Sequence, residues 1–246
     1  MTQLLKTEAI VLRKLNYGDT SKIATLYTEE MGKLPIIVKG GRTSKSKMGF
    51  IVDPLNIIQV VLHNKESREI QLLTQADLVL SPAFIKEDLE RIKYASAISE
   101  LIFSLIPERE PNHKIYKGLK KILGLLNEDG ENPKIIFVRF FLFLIKEIGY
   151  EIEFTSCSDC GKDMQEEKEA FYSLQKGILC PGCKENHVIF FEFSQELLQN
   201  LICLTSKKKG TFADMKMLDT MIFFLEKYVS FHIEEFKGIK SLHIFN

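Results

Sequence analysis

The sequence carries no net charge: 33 lysines and arginines balance 33 aspartates and glutamates. A chain so balanced is not, taken whole, a strongly basic nucleic-acid binder. Long hydrophobic runs are also missing. The most apolar stretch, Ile135-Ile136-Phe137-Val138-Arg139-Phe140-Phe141-Leu142-Phe143-Leu144-Ile145, is interrupted by Arg139 and closed by Lys146-Glu147. It is too short to span a bilayer, and no membrane partner is expected. The first residues, Met1 to Glu8, bring an acid early and no apolar run, so they do not read as a secretory signal. Signatures of common enzymes are absent as well. There is no nucleophile elbow, no Walker-type phosphate loop and no paired glycine fingerprint. Gly40-Gly41 lacks the Lys-Ser/Thr of a phosphate loop in the required frame. Cysteine is scarce and odd in number, five in 246 residues. That argues against a disulfide framework and for a reducing compartment. These absences point to a cytoplasmic protein that is not an enzyme.

Four of the cysteines form the most specific chemical signal in the chain. Cys157-Ser158-Asp159-Cys160-Gly161 is answered by Cys180-Pro181-Gly182-Cys183, two Cys-x-x-Cys pairs with nineteen residues between them. Two intervening residues let one tight turn aim both sulfurs of a pair at one point, and two such turns complete a tetrahedron around zinc. Gly161 and Pro181-Gly182 are the residues such turns need. A site closed by four thiolates leaves no open position for water, so the expected zinc is structural. Thiol redox chemistry is the rival, but neither pair follows a βαβ pattern. His187 lies four residues after Cys183 and could substitute as a ligand, although four cysteines suffice. Cys203, among Leu201, Ile202 and Leu204, reads as an inert buried thiol.

Residues 7 to 80 read as β structure. Apolar or alternating runs at 9–12, 22–28, 34–39, 57–63 and 69–73 are separated by turn clusters such as Asn16-Tyr17-Gly18-Asp19. Pro35 suggests an edge or a strand start. Five short strands in under eighty residues suggest a small closed barrel. The OB-fold is the commonest of that size, and an SH3-like barrel fits the spacing too. Ser81-Pro82 then carries a helix start signal. Helical spacing follows over 87–106, 115–126 and 134–148, the last apolar nearly all round, with Gly149 placed as its cap. A short hairpin is expected at 170–174 and 177–179. Ser194 is expected to cap a helix over 197–202, Lys207-Lys208-Lys209 to form a basic turn, and residues 215–236 to form a long helix.

The zero sum hides a local excess. From Gly32 to Phe50 there are five basic residues, Lys33, Lys39, Arg42, Lys45 and Lys47, and no acid. The run Lys39-Gly40-Gly41-Arg42-Thr43-Ser44-Lys45-Ser46-Lys47 reads as a mobile, positive, hydrogen-bonding loop between strands. Such a loop can track a phosphate backbone with sequence-independent, salt-sensitive affinity. Arg13, Lys14 and Lys22 extend the candidate DNA-binding surface. Tyr17 and Tyr27 have the chemistry of base-stacking platforms, although a core role is the commoner one for tyrosine. The bland alternative for the loop is a solvated basic turn.

Several segments, in order, resemble the RecO family of bacterial recombination mediators. They are Thr7-Glu8-Ala9-Ile10-Val11-Leu12, Tyr17-Gly18-Asp19-Thr20-Ser21, Leu26-Tyr27-Thr28-Glu29-Glu30-Met31-Gly32-Lys33 and the basic loop itself. Leu72-Leu73-Thr74-Gln75-Ala76-Asp77, the stretch from Phe140 to Tyr150 before the first cysteine pair, and Ile239-Lys240-Ser241-Leu242 continue the match. The resemblance implies an α+β protein. It has an N-terminal five-stranded OB-fold barrel (1–80) and an α-helical domain (81–154 and 191–246) with a four-cysteine zinc finger (155–190). It also implies binding to single- and double-stranded DNA, annealing of complementary strands and a complex with RecR. Contact with single-stranded DNA-binding protein, so that RecA can load, is implied too. Many members look more basic than this chain. The competing reading is a zinc-stabilised protein-interaction adaptor without significant direct DNA binding.

Overall fold

The computed structural model describes residues 3–205 and 215–244. Lys207, Lys208 and Lys209 lie outside the described residues. The first strand, β1 (Gln3–Tyr17), serves two neighbours. Its first half pairs antiparallel with β4 (Ile57–Asn64) and its second half with β2 (Ser21–Thr28). The register slips between Val11 and Arg13. At that bulge the Val11 N–H donates to Asn56 O at 3.0 Å and Val11 O accepts from Leu55 N at 2.8 Å. A bulge bends its strand and lets a sheet curl on itself. Strand β3 (Gly32–Val38) pairs with β2, and β5 (Gln71–Leu80) pairs antiparallel with β4. Two parallel positions, Ile36↔Gln71 and Ile37↔Leu72, join β3 to β5 and close the barrel in the order β1-β2-β3-β5-β4. The closed five-stranded barrel is of the OB type expected from the sequence, not the SH3-like alternative.

The barrel interior follows period-two alternation. Leu34, Ile36 and Val38 from β3, Ile58, Val60 and Leu62 from β4, and Val11, Leu26 and Leu73 from their strands fill it. Strand ends differ from the apolar runs. β1 begins at Gln3 rather than Ala9, and β5 continues to Leu80 rather than ending at Leu73. The extra residues are polar or mixed and show no alternation. They are strand because β4 supplies their ladder partners, as in Thr7↔Val60 and Val61↔Gln75. Between β3 and β4 lies a one-turn helix, α1 (Lys47–Ile51), whose Met48 and Ile51 pack against the barrel core.

Helices α2 (Ala83–Glu87), α3 (Leu89–Leu105), α4 (His113–Leu126) and α5 (Pro133–Glu147) follow. The Ser81-Pro82 signal opens only the one-turn α2, and Ser81 Oγ accepts from Lys86 Nζ at 3.3 Å instead of capping. Asp88 starts α3, its carboxylate accepting the Arg91 N–H at 2.8 Å. Asn112 caps α4 through Lys114 N and Ile115 N at 3.0 and 3.1 Å. After α5 comes Gly149, at φ +90°. Its N–H donates to Lys146 O at 3.0 Å while Tyr150 N donates to Ile145 O at 2.8 Å, a Schellman stop at the position expected for it.

Strands β6 (Glu169–Ser173), β7 (Gly177–Leu179) and β8 (Phe191–Ser194) form a small antiparallel sheet in the order β7-β6-β8. The hairpin was expected; β8 was not, because four residues are too few to show a period. Ser194 caps α6 (Gln195–Thr205), its Oγ accepting from Leu197 N at 3.3 Å. Helix α7 (Met215–His232) stops short of Phe236. Its Phe224 ring lies 5.1, 5.1 and 5.0 Å from the rings of Tyr172, Phe191 and Phe193, seating the helix on the sheet. The last helix is α8 (Ser241–Ile244). The chain divides into two compact units, Met1–Phe137 with Ile239–Asn246, and Val138–Gly238. Among the described residues no helix is long and apolar enough to cross a membrane.

Candidate nucleic-acid interface and metal centre

The basic loop is built from successive turns. Gly41 N donates to Val38 O at 3.2 Å, Thr43 N to Gly40 O at 3.1 Å and Ser46 N to Thr43 O at 3.0 Å. Gly40 takes φ +67°, which a side chain would disfavour. Ser46 Oγ then accepts from Gly49 N at 3.1 Å and caps α1. The loop folds back so closely that a Cβ on Gly49 would lie 2.0 Å from Gly41 O. Arg42 ties the loop to the β1–β2 turn, its N–H donating to Thr20 O at 2.9 Å and its guanidinium to Gly18 O. Read from composition as mobile, the segment is thus hydrogen-bonded along most of its length.

The candidate cations fall into two groups. Lys39, Arg42, Lys45 and Lys47 are exposed. Lys39, Lys45 and Lys47 have no ion pair with any described residue. Arg13 and Lys14 are exposed too and Lys22 is half-buried, but all three are engaged within the barrel's own unit. The Arg13 guanidinium stacks 3.6 Å from the centre of the Phe103 ring on α3, and its Nε donates to Thr25 Oγ1 at 3.4 Å. Lys14 pairs with Asp53. Lys22 Nζ donates to Gly49 O at 3.1 Å, bracing the basic loop from beneath. Lys33, though part of the acid-free run, is buried, and its Nζ donates to Phe103 O at 2.5 Å. Burial pushes its ammonium below the ordinary lysine range against the opposing pull of Glu108.

The two tyrosines separate in the same way. Tyr27 is fully buried and stacked on Tyr116 at 6.3 Å, and burial pushes its phenol up to about 12. It belongs to the core. Tyr17 is exposed at the end of β1. The structure adds an aromatic not singled out above, Phe50 on α1, exposed beside the loop. Its one sequence signal is position: it closes the acid-free basic run.

The cysteines converge as their spacing requires. The sulfurs of Cys157, Cys160, Cys180 and Cys183 all lie within 4.8 Å of one another. Cys160 Sγ and Cys180 Sγ are 3.7 Å apart. Four thiolates around zinc at about 2.3 Å would place sulfurs about 3.8 Å from each other along a tetrahedron's edges, so the donor set fits. Turn chemistry shapes it. Gly161, at φ +75°, donates to Cys157 O at 2.9 Å, and Cys183 N donates to Cys180 O at 3.0 Å. Cys180 N also donates to Cys157 Sγ at 3.3 Å. Burial opposes ionisation of Cys157, but backbone N–H groups of Cys160, Cys180 and Asp159 outweigh it and bring that thiol down to about 6. His187 is not among the converging ligands; its Nε2 lies 3.5 Å from Asp159 Oδ2.

The second unit also contains a cleft of about 500 Å³. Leu142, Phe143 and Ile152 supply apolar walls; Arg139 and Lys146 are balanced there by Glu147 and Glu151, and Lys146 pairs with Glu151.

Comparison with known proteins agrees with this architecture. Residues 1–82 match the family model described as Recombination protein O N terminal, and residues 86–243 match Recombination protein O C terminal. The chain is 34% identical over 180 residues to the DNA repair protein RecO of Chlorobium limicola, covering 73% of this chain and 69% of that one. It is 30% identical over 254 residues to the DNA repair protein RecO of Chloroherpeton thalassium, covering 98% and 97%. The DNA repair protein RecO of a Thermoanaerobacter species is 34% identical over 182 residues, covering 74% and 72%. The barrel, the helices, the four-cysteine cluster and these matches together mean that the chain belongs to the RecO family of DNA repair proteins.

Proposed function

We propose that this chain is a recombination mediator that binds single- and double-stranded DNA through its barrel and anneals complementary strands. With RecR it helps load RecA onto strands coated by single-stranded DNA-binding protein. It does so without catalysis, in the cytoplasm at the nucleoid. The observation that carries the reading is the basic loop. Lys39, Lys45 and Lys47 stand exposed, with no ion pair to any described residue, on a hydrogen-bonded frame with no carboxylate in the run. Fixed cations of this kind meet phosphates without reading sequence. A structural zinc held by Cys157, Cys160, Cys180 and Cys183 stabilises the finger, and its closed coordination supplies no chemistry beyond that.

Replacing Lys39, Lys45 and Lys47 with glutamine tests the reading. Affinity for single and double strands should both fall. The slope of log affinity against log salt should flatten by roughly 2 for a single strand, at about 0.7 per phosphate contact. Unchanged affinity and slope would remove the loop from the interface. The adaptor reading also has an observation in its favour: Arg13, Lys14 and Lys22 are spent on internal contacts. It requires that the wild-type chain show no salt-sensitive DNA binding at all, which the same titration reveals.

A further inference from the structure

We propose that Phe50 and Tyr17 are stacking platforms beside the basic loop, and that they hold unpaired bases of a strand whose phosphates the loop lysines track. The inference rests on the reading that the barrel binds nucleic acid, and it adds what lets the site tell a single strand from a duplex.

Two observations carry it. Phe50 is 69% exposed and Tyr17 53% exposed, on a barrel whose other large aromatic, Tyr27, is wholly buried. Neither ring stacks on another ring among the described residues. Each is also fixed to the loop by the residue beside it. Tyr17 precedes Gly18, whose carbonyl accepts from the Arg42 guanidinium. Phe50 follows Gly49, whose carbonyl accepts from Lys22 Nζ at 3.1 Å and whose Cα lies against Gly41 O. The rings are thus carried by the same hydrogen-bonded frame that presents Lys39, Lys45 and Lys47.

The surroundings select the occupant. An aromatic face in water gains by covering its area, and the acid-free cationic run beside it favours a polyanion. Unpaired nucleic acid offers both an apolar ring face and a phosphate at each residue. A duplex offers the phosphates, but its bases are already stacked and paired. The aromatic pair should therefore contribute to single-strand affinity and not to duplex affinity.

Binding of the full-length protein to a labelled oligothymidine, a duplex of equal length and an abasic strand tests this. Phe50→Ala should lower affinity for oligothymidine about 5- to 150-fold, at about 1–3 kcal/mol per stacked base. Affinity for the duplex and the abasic strand should not change. The salt slope should also stay the same, since no phosphate contact is lost. Tyr17→Ala should show the same pattern. The chain has no tryptophan but seven tyrosines, so Phe50→Trp introduces a single tryptophan, excited selectively at the red edge where tyrosine does not absorb. Oligothymidine should quench its emission and the duplex should not. An oligouridine arm shows whether DNA or RNA is the preferred source of the bases.

Unchanged oligothymidine affinity in Phe50→Ala, or an equal loss on all three ligands, would overturn the proposal. So would a fall in self-association with DNA binding intact, which would make Phe50 a contact between copies. If the triple lysine variant loses affinity while the Phe50 variants do not, stacking fails and the DNA-binding reading stands. If the lysine variant is also unaffected, the loop itself is not the interface.

Discussion

Gly49 has no room for a side chain. A Cβ there would meet Gly41 O at 2.0 Å, and backbone cannot yield as the end of a flexible side chain can. Gly49→Ala is therefore expected to destabilise the barrel unit by about 1–3 kcal/mol. It should also loosen the loop, which urea denaturation and a parallel titration with single-stranded DNA would show together. A chain unchanged in both would mean that the approach of Gly41 to Gly49 is not needed. At this scale the sequence was informative about type and silent about employment. Lys39, Arg42, Lys45 and Lys47 were legible as surface cations because glycines and hydroxyls surround them. Nothing local separated them from Arg13, Lys14 and Lys22, whose partners Phe103, Asp53 and Gly49 lie far along the chain. Tyr17 stands in a turn cluster and Tyr27 in an alternating run, but the stacking of the buried Tyr27 on Tyr116 is a contact across the chain.

Among the elements, the start of α3 is the clearest case of two competing signals. Ser81-Pro82 has the composition of a helix start, yet Asp88 holds the Arg91 N–H and Ser81 Oγ does not cap. Asp88→Ala should cost about 1 kcal/mol, whereas Ser81→Ala should lie within about 0.5 kcal/mol of the parent. Equal losses in urea midpoints would mean that the cap assignment is wrong. Long periodic segments such as α4 and α5 were readable from their apolar spacing, and Gly149 marked the stop of α5. The far half of β5 and the whole of β8 were not. A strand is defined by the ladder partner that satisfies its backbone, and polar residues such as Thr74 and Gln75 carry no trace of that partner.

For the whole molecule the test is the metal. The cysteines and the sheet they adjoin belong to the second compact unit, and the basic loop belongs to the first. Purified protein should contain stoichiometric zinc. A strong chelator, or Cys180→Ser, should lower thermal stability before it weakens loop-dependent DNA binding, because metal affinity is folding free energy for the ligands it gathers. Loss of annealing in a zinc-free protein that stays folded would instead make the finger part of the working surface.

The sequence by itself determined what depends on neighbours a few residues apart. The Cys-x-x-Cys turns, the helical and strand periods and the Schellman glycine are of this kind, since their chemistry closes within one turn of chain. Tertiary structure alone decided what depends on distant partners. It closed the barrel through Ile36↔Gln71 and Ile37↔Leu72. It brought Lys240 and Ser241 back to α3, where the Glu100 carboxylate accepts both their N–H groups at 2.9 and 2.8 Å. It also brought the turn that carries Tyr17 to the loop that Phe50 closes, through Arg42 and Gly18 O. These contacts are specified by the summed burial of the core, to which no short window of sequence has access.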